Sequence, residues 1–250
     1  MEKLIQKKIR DHIYIINYDG LFTSYIVIGN KKALVIDTMV GALNMKEIVQ
    51  SYTDLPIILV NTHAHLDHVG GNFYFEEAYM HPEDIAWVNG PQETARMIGI
   101  EKIKNVKSPK YHPILPGYIL DLGGIELEVF SLAGHTRGSI GLLDRKDRIF
   151  FTGDGIIPQI WMHLDESVSL HELKRTLNDL QSIRNEYDVI LHGHTADVVY
   201  ATLYDELMIA VDEVINGEKE HDTPFELFPG AVKHPFHGTD SSRFIVYRPN

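Results

Sequence analysis

THAHLDH, residues Thr62–His68, places three histidines and one aspartate within six consecutive positions, His63 to His68. Imidazole nitrogens and carboxylate oxygens are donors that zinc, iron and manganese accept. His63 and His65 stand two residues apart, so in an extended segment both side chains leave the same face and can grip one ion. Asp67 and His68 are adjacent and cannot share a face of an extended chain; they fit a turn aimed at a second point. A helical H-E-x-x-H arrangement is absent, which argues against a zincin-type protease site.

Outward from this stretch, short strands alternate with helices. LPIILVNTH, Leu55–His63, is a nearly continuous apolar run that suits a strand buried on both faces and delivers the chain to His63. SYIVIG (Ser24–Gly29) and KALVIDT (Lys32–Thr38) read as two strands of a hairpin. A helix is expected over Gly41–Ser51. VGGNFYFEEAY (Val69–Tyr79) is expected to open another, with Gly70 and Gly71 letting the backbone swing into it. GGIELEVFSLAGH is a strand ending at His135, GSIGLLD is a strand, RIFFTGD is a strand ending at Asp154, and YDVILHGH is a strand ending at His194. Between the last two lies a helix with Ser169 and Glu172 as a capping box and a stripe of Leu173, Leu177, Leu180 and Ile183. A further helix, capped by Asp197 and ended by Gly217, carries Leu203, Leu207, Val211 and Val214.

Four strands thus end in metal-ligand side chains: His63/His65/Asp67/His68, His135, Asp154 and His194. Open α/β sheets gather functional residues at the carboxyl ends of their strands, which makes this ordered set a metal site and not a chance cluster. Seven other histidines, His12, His81, His112, His171, His221, His234 and His237, are isolated and read as surface or satisfied core residues. Asp37, at another strand end, reads as an acceptor that orients ligand histidines.

Composition narrows the chemistry. The 250 residues suit one large domain or two small ones, and the reading adopted is a single domain, 1–250. No cysteine is present, which removes disulfides, thiolate ligands and a cysteine nucleophile. The net charge of −12 argues against nucleic acid as a partner. No apolar run approaches the roughly 20 residues that span a bilayer, and MEKLIQKKIR lacks the apolar segment of a signal peptide, so the expectation is a cytoplasmic protein without a membrane partner. The lysines of Lys102–Lys110 read as a solvated surface, with an anion-attracting edge as the functional alternative. A homodimer is the default expectation for assembly.

The T-H-A-H-L-D-H stretch resembles the H-x-H-x-D-H signature of the metallo-β-lactamase superfamily. LVIDT, AGHTRGSI, FTGD and LHGH resemble its other motifs, in order, from about Ala33 to His194. The resemblance implies an α+β chain folded as a four-layer αβ/βα sandwich, the metallo-hydrolase/oxidoreductase fold. It implies one ion on His63, His65 and His135, a second on Asp67, His68 and His194, and Asp154 between them, with His192 competing with His194. The cofactors expected are two divalent ions, Zn²⁺ first, with Fe or Mn as alternatives. The chemistry expected is hydrolysis of a small ester, thioester or lactone by hydroxide held on the two ions, with Asp67 orienting it and taking its proton. A mononuclear iron oxygenase of the persulfide dioxygenase type and a phosphodiesterase are the alternatives, and a non-catalytic metal-binding scaffold is disfavoured by the complete ligand set. Aspartate at 154, where many true β-lactamases carry cysteine, points away from β-lactams. Trp161 and His163, just beyond Asp154, are candidates to line the substrate pocket.

Overall fold

A computed structural model describes residues 4–88, 90, 107–236 and 242–249, and in it the apolar runs become two large sheets packed face to face. Among the described residues the first sheet has seven strands in sequence order: β1 (Leu4–Arg10), β2 (Ile13–Tyr18), β3 (Phe22–Ile28), β4 (Ala33–Ile36), β5 (Ile57–Val60), β6 (Glu77–Met80) and β7 (Lys110–Pro113). Neighbours are antiparallel up to β4 and parallel from β4 to β7. The second is built from β8 (Ile119–Asp121), β9 (Glu126–Ser131), β10 (Ile140–Asp144), β11 (Ile149–Gly153), β13 (Val189–His192) and β14 (Val199–Tyr200), in the order β14-β13-β11-β10-β9-β8. A smaller sheet, not anticipated from the sequence, joins β12 (Gln159–Trp161), β15 (Thr223–Pro224), β16 (Val232–Pro235) and β17 (Phe244–Tyr247) in the order β12-β17-β16-β15.

Alternation along the strands makes the layers. Ile13, Ile15, Tyr25, Val27, Leu34 and Ile36 face inward and meet Leu127, Val129, Leu142, Ile149, Phe151 and Leu191 of the second sheet. Their sequence neighbours Ile16, Ile26 and Val35 face outward and pack on Met45 and Val49 of α1 (Met45–Gln50). On the far side, Leu143, Phe150 and Ile190 pack on Leu173 and Leu177 of α4 (Leu170–Leu180) and on Leu207 and Val211 of α5 (Thr202–Ile215). Helix, sheet, sheet, helix is the four-layer αβ/βα sandwich. Strands covered on both faces need apolar residues at every position, which is why these runs show no period of two. Each leucine buried in the α4 stripe contributes roughly 2 kcal/mol.

The Ser169–Glu172 capping box starts α4 as expected, and Gly217, at φ +85°, ends α5. Two expectations fail. Val69–Tyr79 forms no helix beyond α2 (Leu66–Val69): a single 3-10 turn, Asn72–Tyr74, leads into β6, which the short α3 (Pro82–Ile85) follows. The Asn72 side chain is committed to Thr38 Oγ1 and to the Asn61 side chain. Gly70 serves close approach, since a Cβ there would lie 2.5 Å from the Val40 carbonyl carbon. Asp197 does not cap α5, whose N-cap is Ala201; it pairs with Lys7 on β1 instead. Of the lysine stretch, Lys102 and Lys104 lie outside the described residues, as does His237, while Lys107 and Lys110 are exposed. Among the described residues no helix is long and apolar enough to cross a membrane.

His234 is a satisfied core residue. Its Nδ1 donates to Asp222 Oδ1 (2.8 Å), its Nε2 lies 3.2 Å from Glu213 Oε2 on α5, and the Tyr247 hydroxyl donates to Asp222 Oδ2 (2.6 Å). This network fastens the small sheet to α5. His234→Ala leaves two carboxylates short of a donor and is expected to cost about 2 kcal/mol, or roughly 5 °C in Tm for a chain of this size. Metal content should not change, and a thermal melt beside elemental analysis checks both.

Candidate metal centre

The parallel strand β5 carries the chain to Asn61, His63 lies in the bend that follows, His65 is the extended residue before the helix, and Asp67 and His68 sit on the first turn of α2, which begins at Leu66. The second sheet brings its residues to the same end: Asp154 directly after β11, and His192–His194 at the end of β13, which runs parallel to β11. His135 comes from the loop after β9. All seven residues expected to ligate are therefore convergent. Ligand atoms of His63, His65 and His135 lie within 4.8 Å of one another; so do those of Asp67, His68 and His194, and those of His63, His68 and Asp154.

Every one of the five histidines has one ring nitrogen tied to an oxygen and the other turned toward the centre. His63 Nδ1 is 3.1 Å from Thr62 Oγ1, and His65 Nε2 is 2.5 Å from Glu166 Oε1. His68 Nδ1 donates to Asp37 Oδ2 (2.8 Å), His135 Nδ1 to the Trp161 carbonyl (2.8 Å) and His194 Nδ1 to the Leu21 carbonyl (2.6 Å). Such outer bonds fix ring orientation and tautomer. The inward atoms are left over: His63 Nε2, His68 Nε2 and Asp154 Oδ1 are buried and have no hydrogen-bond partner. Buried polar atoms are nearly always satisfied, and three unsatisfied donors to one point fit a cation.

Asp154 stands between the two groups, 3.1 Å from His194 Nε2, 3.5 Å from His68 Nε2 and 3.8 Å from His135 Nε2. Asp67 Oδ2 is 3.3 Å from His194 Nε2. His194, not His192, meets the carboxylates. His192 is buried beside them, with its Nδ1 accepting the His194 backbone N–H (3.2 Å). The Gly193 between them is required, because a Cβ there would lie 2.4 Å from Asp154 Oδ1.

The charges divide the site in the protein without ions. Burial lowers the His135 pKa to about 4 and holds His63 well below the ordinary histidine range, and neighbouring imidazoles reinforce both. Burial also disfavours charge on His194, but Asp154 outweighs it and carries that ring up to about 9. His68 is raised well above its usual value against its own burial by Asp37, Asp154 and Asp67. Asp154, buried yet facing His194 and His68, is held well below the carboxylate range. His63 and His135 are thus held neutral and open to a cation, while Asp154 stays ionised against charged His68 and His194.

A family model, the metallo-beta-lactamase superfamily, matches residues 18–199. The chain belongs to the metallo-beta-lactamase superfamily. Membership implies divalent metal ions, and the donor groups above are suited to them. Among curated superfamily proteins, the human acyl-coenzyme A thioesterase MBLAC2 is 31% identical over 157 residues, 52% of this chain and 56% of that protein. The hydroxyacylglutathione hydrolase GloC of Haemophilus influenzae is 29% identical over 133 residues, 50% of this chain and 61% of that protein. The chain therefore spans little more than half the length of these relatives. Among solved structures, a metallo-beta-lactamase from Pontibacter korlensis superposes with a TM-score of 0.62 at 19% identity, covering 84% of this chain and 99% of that one, which shows the shared fold.

A cavity of about 920 Å³ opens over the centre, with His65, Asp67, His135, Asp154 and His194 on its floor. Its walls include Leu21, Trp87, Ile157, Trp161 and Leu164. Trp161 is among the residues lining the cavity and His163 is not: its buried ring packs 4.4 Å from Phe228 and 5.5 Å from Trp161. Two contributors escaped the sequence reading. Glu166 holds His65, and buried Asp84 accepts from the Ala64 N–H (2.8 Å), the Gly138 N–H (2.8 Å) and the Thr136 hydroxyl (2.9 Å), pinning the His63–His65 and His135 loops together. Both are lone acids without a motif, and only the fold brings them near the histidines.

Proposed function

We propose that this chain is a hydrolase of small ester, thioester or lactone substrates, with one divalent ion on His63, His65 and His135, a second on Asp67, His68 and His194, and Asp154 shared between them. The observation that carries the reading is the polarity of the five imidazoles, each anchored outward through one nitrogen and each turning the other inward beside two carboxylates, with those of His63 and His68 left without a hydrogen-bond partner. Zn²⁺ suits a set of five imidazoles and two carboxylates. When bound, a pair of such ions supplies Lewis acidity and lowers the pKa of water toward neutrality.

The chain's own residues supply the rest. Asp67 is partly exposed to the cavity, where its carboxylate can orient water and accept a proton. Leu21, Trp87, Ile157, Trp161 and Leu164 offer an apolar wall to an acyl group, leaving the carbonyl at the floor. Thioesters stand first because two relatives bear names of acyl-coenzyme A and hydroxyacylglutathione hydrolysis.

The test is elemental analysis of protein purified without added metal, followed by a panel of acyl thioesters, lactones and phosphodiesters. At least two ions per chain and turnover of a thioester or lactone, abolished by chelator and restored by Zn²⁺ or Mn²⁺, are expected. One iron per chain with substrate-dependent oxygen uptake would overturn the hydrolase in favour of an oxygenase.

A further inference from the structure

A second cluster of metal-ligand side chains lies at the other end of the sandwich. Asp144 closes β10 and pairs in register with Ile149, the first residue of β11, whereas Asp154 follows the last. Five residues of strand put the two clusters roughly 16 Å apart. His12 sits in the turn between β1 and β2 of the first sheet; Asp147 sits in the turn between β10 and β11 of the second. The ligand atoms of His12, Asp144 and Asp147 lie within 4.8 Å of one another.

These groups are not an ordinary surface ion pair. Asp144 is 0% exposed, and its Oδ2 has no hydrogen-bond partner. His12 Nε2 and Asp147 Oδ2 are 2.7 Å apart, yet both atoms are buried and neither completes an aligned hydrogen bond. Three inward atoms are therefore unsatisfied at one point, the same signature that His63, His68 and Asp154 show in the catalytic cavity. The backbone around them is already fixed. Asp144 Oδ1 accepts the Asp147 N–H (3.0 Å), and the His12 carbonyl accepts the Ile28 N–H (2.8 Å). Arg10 Nε, 3.8 Å from Asp147 Oδ1, is the one cation recorded beside the cluster among the described residues, and it offsets one of two carboxylate charges. Burial pushes the Asp144 carboxyl above the usual carboxylate range, as expected of a charge short of a partner.

We infer that His12, Asp144 and Asp147 form a second, non-catalytic site for a divalent transition-metal ion, which clamps the β1–β2 turn of one sheet to the β10–β11 turn of the other. One imidazole and two carboxylates favour Mn²⁺ or Zn²⁺ over Ca²⁺, which prefers oxygen ligands alone. The clamp bridges the two sheets where the catalytic cavity does not reach, so its occupancy reads out as stability and not as turnover. A ligand that binds only the folded state raises its melting temperature.

The experiment compares the full chain with Asp147→Asn and, separately, His12→Gln after chelator stripping and dialysis against Mn²⁺. Asp147 lies on a turn, and its Asn variant keeps the backbone bond to Asp144, so folding is not at stake. Each variant should bind one ion fewer per chain than the parent. Each should lose at least half of the Mn²⁺-induced rise in Tm, with kcat/KM unchanged within twofold. In the parent, diamagnetic Zn²⁺ should shift the His12 imidazole resonances, and in Asp147→Asn it should not. Equal ion counts in parent and both variants would overturn the site. Because the comparison counts a difference between parent and variants, it stands or falls independently of the catalytic reading.

Discussion

Asp154→Ala is expected to remove one bound ion per chain and to lower kcat/KM on the best thioester or lactone by about a thousandfold, the scale seen when a preorganised electrostatic group is deleted. Among the described residues Asp154 is the one carboxylate that touches both histidine groups, with Oδ2 3.1 Å from His194 and 3.8 Å from His135 and Oδ1 3.5 Å from His68. The variant also carries a signature independent of turnover. Asp154 is what lifts His194 to about 9 against its burial, so in stripped protein the His194 pKa should fall once the carboxylate is gone. Elemental analysis, steady-state kinetics and histidine NMR make the three measurements. Full metal content with full activity would show that the centre does not depend on a shared aspartate.

The centre was legible in the sequence because a ligand site must be written in side chains of specific chemistry, and the strand ends that present them are marked by apolar runs. His63, His65, Asp67, His68, His135, Asp154 and His194 converge in space, and Asp37 holds His68 as its strand-end position implied. What could not be read is what depends on tertiary proximity alone. Glu166 and Asp84 are single acids whose partners lie 101 and 20 or more residues away. The 3-10 turn and strand β6 after Gly71 replaced an expected helix because Asn72 is captured by Thr38 and Asn61, contacts no local pattern encodes. His163 sits two residues from a cavity-lining tryptophan yet is drawn into packing with Phe225 and Phe228, which come from a segment 62 or more positions later. The small third sheet, with its β12–β17 pairing, is of the same kind.

Asp37→Asn is expected to separate the two ions. Asp37 is 2% exposed and accepts three bonds: from the Thr62 N–H (2.8 Å) and the Thr62 hydroxyl (2.7 Å), and from His68 Nδ1 (2.8 Å). One carboxylate thus fixes both the residue preceding His63 and the ring of His68. Its φ of +61° lies in the left-handed region, which asparagine tolerates and alanine does not, so the amide keeps the backbone in place while removing the charge. An amide offers one acceptor oxygen where the carboxylate offered two, and its NH₂ faces at least one of three donors. If the amide oxygen takes the Oδ1 place and serves the Thr62 N–H, the NH₂ faces both the Thr62 hydroxyl and His68 Nδ1, and the ring loses its acceptor and its tautomer. Losses of this kind weaken metal binding about 10- to 100-fold. The effect should fall on the ion held by Asp67, His68 and His194, because His65 and His135 take their outer bonds from Glu166 and the Trp161 carbonyl. Competition titration with a metallochromic chelator should then show one ion bound at parental affinity and one weakened by that factor. Equal weakening of both ions would mean that Asp37 acts through the loop as a whole; no weakening of either would mean that His68 is held without it.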